Sequence, residues 1–71
     1  MKNVLYVNFG NIEVKAFYKE SDRMNPYKIY RRNIGERYEY IDEYADYYSV
    51  LLFIVECEKE LKDHGNSRDN R

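Results

Sequence analysis

Val4-Leu5-Tyr6-Val7-Asn8-Phe9-Gly10-Asn11-Ile12-Glu13-Val14-Lys15-Ala16-Phe17-Tyr18 is the stretch on which the fold turns. Two runs rich in β-branched and aromatic residues flank Gly10-Asn11. Glycine there supplies the positive φ of a two-residue hairpin turn of type I′ or II′. That turn sets a register pairing Phe9 with Ile12, Val7 with Val14, Leu5 with Ala16 and Asn3 with Tyr18. One face then carries Leu5, Val7, Phe9, Ile12, Val14, Ala16 and Tyr18. Its opposite carries Val4, Tyr6, Asn8, Glu13, Lys15, Phe17 and Lys19. A slip of one residue would scramble the two faces.

Beyond the hairpin, residues 20–26 are polar and end in Asn25-Pro26, a loop signal. Tyr27-Lys28-Ile29-Tyr30-Arg31-Arg32 alternates again and predicts a third strand, broken by Asn33-Ile34-Gly35. Residues 36–41 fit a short fourth strand or a helix entry. From about Ile41 to Asp63 the period becomes helical: Ile41, Tyr44, Ala45, Tyr48, Leu51, Leu52 and Val55 form one stripe with spacings of three and four. Asp42, Glu43 and Asp46 crowd the expected first turns, where the helix dipole favours negative charge. Gly65 is a natural stop, and residues 66–71 form a polar tail. The expected fold is α+β: a small antiparallel sheet of three strands, or four, and one long C-terminal helix on its apolar face (β-β-β-α). The folded unit is expected over residues 1–65.

Length and composition bound what such a fold can do. Seventy-one residues make one domain, and a domain this small buries only about 60% of the surface of its unfolded chain. Cys57 is the sole cysteine and His64 the sole histidine. An internal disulfide is therefore excluded and a structural zinc has no ligand set. A reduced, cytoplasmic setting is the expectation. The N-terminus lacks the apolar core of a signal peptide. The longest apolar run, residues 47–55, falls far short of the roughly 20 residues of a membrane span.

Two further features bear on function. The helix carries a second apolar stripe, Tyr47, Val50, Ile54, Cys57 and Leu61. With the first stripe on the sheet, this one is expected to form a two-fold homodimer interface, which would supply the burial that a lone small domain lacks. The net charge of −1 hides an asymmetry: residues 1–37 carry eight Lys/Arg against four Asp/Glu, and residues 38–63 two against eight. In the acidic part, Glu39, Tyr40, Asp42, Glu43, Asp46 and Tyr47 combine carboxylates with tyrosines, a favoured interface anchor. They are expected to dock on a basic groove of a partner protein. In the basic part, Tyr6, Lys15, Phe17, Lys28, Tyr30 and Arg32 interleave rings and cations on the outer sheet face, as a single-stranded nucleic-acid binder would.

Catalysis finds little to work with. Cys57 sits on an apolar stripe, His64 near the helix end, and Gly10, Gly35 and Gly65 are isolated rather than gathered into a phosphate loop. The sequence therefore reads as a small non-enzymatic protein-binding module without metal or cofactor. An inhibitor or regulator of the kind carried by phages and mobile elements would fit. The alternatives are a nucleic-acid binder and a structural subunit of a larger complex.

Overall fold

The computed structural model describes the backbone of residues 1–69 and, within the helix, the side chains as far as residue 62. Four strands, β1 (Lys2–Asn8), β2 (Ile12–Tyr18), β3 (Tyr27–Asn33) and β4 (Glu39–Tyr44), precede one helix, α1 (Tyr47–Asp69). The strands form a single antiparallel sheet in the order β1-β2-β3-β4. The fold is the expected α+β arrangement, with the fourth strand present.

The first hairpin keeps the register set by its turn through Leu5↔Ala16, Val7↔Val14 and Asn8↔Glu13. Gly10 has φ 103° and Asn11 does not have positive φ, which makes the turn type II′. Beyond Leu5 the pairing departs from expectation. A bulge at Val4 shifts Asn3 onto Phe17 instead of Tyr18. The Asn3 side-chain oxygen accepts the Leu5 N–H at 3.1 Å, which holds the bulge. Val4, expected on the outer face, consequently packs with Leu5 against the core.

A second bulge explains the largest local departure from the sequence reading. β3 and β4 pair Tyr27↔Tyr44, Lys28↔Glu43 and Ile29↔Asp42, then resume at Tyr30↔Tyr40, leaving Ile41 as the extra residue. This insertion turns a strand period of two into a local spacing of three, which imitates a helix start. Ile41 to Tyr44 are strand, and Asp42 and Glu43 belong to β4 rather than to the first turns of α1. Asp46 is the N-cap: its carboxylate accepts the Ser49 N–H at 2.8 Å, three residues on. Both edge strands, β1 and β4, are thus bulged, which discourages edge-to-edge pairing.

The helix lies chiefly over β3 and β4. Its buried side is the one expected to be free. Val50 is 0% exposed and joins Val14, Ala16 and Ile29 as the core, with Phe53 and Ile54 packed around them. Tyr48, Leu51, Leu52 and Val55, assigned by sequence to the sheet, are 68%, 41%, 47% and 54% exposed. The two stripes are exchanged because the helical phase was carried back through Ile41 and Tyr44, which are not helical. Rings close the end of the sheet where the helix begins: Tyr18 against Tyr27 at 5.1 Å, Tyr27 against Tyr47 at 5.8 Å, and Tyr44 against Phe53 at 6.0 Å.

The backbone continues as helix through Gly65 to Asp69. A lone glycine costs a helix interior about 1 kcal/mol, a penalty rather than a stop. Of the expected tail, residues 66–69 are helical, and residues 70–71 lie outside the described residues, as does the side chain of His64.

Candidate interaction surfaces

The outer sheet face is a second, polar layer rather than an open basic platform. Glu13 is 7% exposed although it points away from the helix. Its carboxylate accepts the Tyr6 hydroxyl, the Arg32 Nε–H at 2.5 Å and the Tyr38 hydroxyl at 3.5 Å. Arg32 and Lys15 both lie over the Tyr38 ring, 4.7 and 4.5 Å from its centroid. Lys28 is 8% exposed and donates to Asp22 at 2.5 Å and Glu43 at 2.6 Å. Tyr40 donates to the same Glu43 oxygen at 2.8 Å, and Asn25 to its other oxygen at 3.3 Å. The loop before β3 is shaped for this contact, because Asp22 also accepts the N–H groups of Met24 and Asn25.

These pairings bear on the nucleic-acid alternative. Of its six residues, Lys28 and Arg32 already hold in-chain carboxylates. Phe17 and Tyr30 pack edge to face at 5.6 Å, and Tyr30 packs on Tyr40 at 5.8 Å. Tyr6 is half-exposed but hydrogen-bonded to Glu13. Of the three cations among the six, Lys15 alone has no carboxylate contact, and it sits over Tyr38. A phosphate backbone would have to compete with the ion pairs that hold the layer together.

The acidic stretch is likewise drawn into the chain's own contacts. β4 lies beside basic β3, with Glu43 opposite Lys28 and Glu39 opposite Arg31. Glu39, Asp42 and Tyr44 share the helix side of the sheet, while Tyr40 and Glu43 face the other way. Asp42 accepts the Tyr44 hydroxyl at 3.0 Å, Asp46 caps the helix, and Tyr47 rests on Tyr27. The six expected partner-binding residues therefore do not form one continuous face. One ion pair, Lys28–Glu43, joins the basic and acidic halves of the chain where β3 meets β4.

Four carboxyls are held below the ordinary carboxylate range. Glu13 is lowered by the Tyr6 hydroxyl and then Arg32, Asp22 by Lys28 and then the Asn25 N–H, Glu43 by Lys28 and then Tyr40, and Asp46 by the Ser49 N–H. Lys28 is held above the ordinary lysine range by Asp22 and then Glu43, so it stays charged as these acids titrate. A carboxyl whose folded pKa is depressed stabilises the fold above its unfolded pKa, about 4, and loses that contribution as pH falls through the folded value. Melting temperature is therefore expected to fall steadily below about pH 4. A melting temperature unchanged from neutrality down to about pH 3 would mean that these pairs do nothing for stability.

Cys57 is half-buried beside a cleft of about 20 Å³ lined by Phe9, Ile12, Val14, Arg31, Glu60 and Leu61, space for a single water. Burial pushes the Cys57 thiol up, away from the reactive thiolate. Among the described residues no group of three His, Cys, Asp or Glu side chains is placed to hold a metal ion, and no helix is long and apolar enough to cross a membrane.

The third surface is the outer side of α1. At 3.6 residues per turn, Tyr48, Leu51, Leu52 and Val55 cluster on the side away from Val50, with Lys59 and Lys62 continuing the same side. Of the residues expected at a dimer interface, Val50 is fully buried in the chain's own core and Ile54 packs against it. Cys57 is half-buried, and Tyr47 and Leu61 sit at the margin, 37% and 39% exposed. The signal that would have located the exposed stripe is the N-cap at Asp46, which fixes where helical phase begins. No family model, no curated protein and no solved structure matches this chain.

Proposed function

We propose that the chain is a small non-enzymatic protein-binding module that docks through the outer face of α1 and acts by covering a surface of its partner, as an inhibitor or regulator does. One observation carries this reading. Four large apolar side chains stand 41–68% exposed together on the helix, as many as are buried in the core among the described residues. Contiguous apolar surface of this kind on a soluble domain marks an interaction site. Glu56, Lys59 and Lys62 around it supply the polar rim that protein interfaces carry. The acidic residues of β4 belong to the sheet and are not part of this surface.

The test is capture from native lysate, after nuclease treatment, with the tagged chain and with its Leu52→Asp/Val55→Asp variant as baits. Both positions are exposed, so the variant is expected to keep its fold within about 1 kcal/mol and its circular dichroism spectrum. The wild-type bait is expected to retain one protein stoichiometrically and the variant to retain none. Equal capture by both baits would remove the outer helix face from the account. Capture abolished by nuclease would move the site to the basic residues of the sheet.

A further inference from the structure

We propose that the open end of the sheet between β3 and β4 binds a small zwitterion, of the size and charge of a free α-amino acid. No residue of the outer helix face takes part.

The site is a cleft of about 190 Å³ where the β3–β4 ladder stops. The last pair of that ladder is Arg31↔Glu39, yet β3 runs on to Asn33. Residues 34–38 swing clear of β3 before β4 begins, and the cleft opens in the gap. This connection is fixed at both sides. The Glu36 N–H donates to the Asn33 carbonyl at 2.9 Å with Gly35 at φ 88°, a type II turn. The Ile34 N–H donates to the Asn11 carbonyl at 3.0 Å and ties that turn to the first hairpin.

Both signs of charge line the cleft: Arg31, Arg32 and Arg37 with Glu36 and Glu39. Arg32 is committed within the chain, its Nε–H on Glu13 at 2.5 Å and its Nη1 on the Glu36 carbonyl at 3.4 Å. The Glu36 carboxylate accepts the Asn33 side-chain amide at 3.0 Å. Arg31, Arg37 and Glu39 remain, all exposed, and none makes an ion pair with a described residue. Elsewhere on the sheet the opposite charges have closed on one another, Lys28 on Asp22 and Glu43, Arg32 on Glu13. In the cleft they stay apart although Arg31 and Glu39 are ladder partners.

A ligand that carries both charges completes them together. Its carboxylate would take the guanidinium donors of Arg31 and Arg37, which suit a planar carboxylate, and its ammonium would take Glu39. A simple anion would meet the glutamates unrelieved, and a simple cation the arginines. The volume sets the size, because pockets for larger organic ligands run from about 300 to 1,000 Å³. One amino acid fits where a peptide or nucleotide does not.

Titration of isotope-labelled protein with alanine, followed by NMR at the side-chain Nε–H groups of Arg31 and Arg37, tests this. Saturable shifts are expected with alanine, and much weaker ones with acetate or methylammonium, which each carry half of its charge pattern. Arg37→Gln and Glu39→Gln are each expected to weaken alanine binding about tenfold or more, the effect of losing a hydrogen bond to a charged group. Both variants are expected to keep the wild-type circular dichroism spectrum, since both side chains are exposed. Lys19→Gln, a change outside the cleft, is expected to leave the affinity unaltered. Acetate binding as tightly as alanine would overturn the zwitterion as ligand. Shifts that never saturate, or that weaken equally in Lys19→Gln and Arg37→Gln, would overturn the site itself.

Discussion

Replacing Ile29 by alanine is expected to cost the fold about 2–5 kcal/mol, the range for large-to-small changes at fully buried aliphatic sites. Ile29 is the largest of the completely buried side chains and stands at the centre of β3, under the helix. It touches the core through both neighbouring strands, opposite Ala16 on β2 and beside the bulge of β4. The loss cannot be healed by collapse from one side, because Ala16 is already small and Val14 is pinned in its own pairing with Val7. A 71-residue domain has a total stability of roughly 4–11 kcal/mol at the usual 0.05–0.15 kcal/mol per residue. Ile29→Ala should therefore remove a large share of the total stability, seen as a lower urea midpoint with an unchanged slope. A midpoint within experimental error of the wild type would mean that the helix does not rest on β3 as described.

Val50→Asp is expected to be worse still. It places a carboxylate at a position with no exposure and no cationic partner among the core residues, Val14, Ala16 and Ile29. Burying an unpaired charge costs several kcal/mol even after relaxation, so the chain should fail to fold cooperatively. The contrast with Leu52→Asp is the informative part. The two positions are two residues apart on the same helix, and the substitution is the same. Circular dichroism melts should show one chain without a transition and one close to the wild type. Two similar melts would mean that neither side of α1 is firmly committed to the sheet.

The parts of this molecule legible in its sequence were those governed by short-range rules. Gly10-Asn11 fixed the first hairpin because a two-residue turn leaves only one register, and that register holds from Asn8 to Leu5. Tyr27 to Arg32 announced β3 by plain alternation. What escaped reading was set by bulges. An extra residue at Val4 or Ile41 leaves no mark in composition, yet it changes which side chains share a face. At Ile41 the consequence travelled: a strand with a local period of three was joined to a genuine helix, and the phase of the helix was inherited from the wrong residues. The exchange of the two apolar stripes, and with it the location of the candidate docking face, followed from that single insertion. The buried ion pairs of Glu13 and Lys28 were equally out of reach. They depend on Arg32, Tyr38, Asp22 and Glu43, which arrive from other strands and from the loops before and after β3.

Thiol labelling of single cysteines at positions 50 and 52, in a Cys57→Ser background at submicromolar concentration, tests most directly which side of α1 faces outward. The account predicts rapid modification at position 52 and protection at position 50, relieved only by denaturant. Rapid modification at position 50 with protection at position 52 would place the Tyr48–Val55 stripe on the sheet and remove the docking surface.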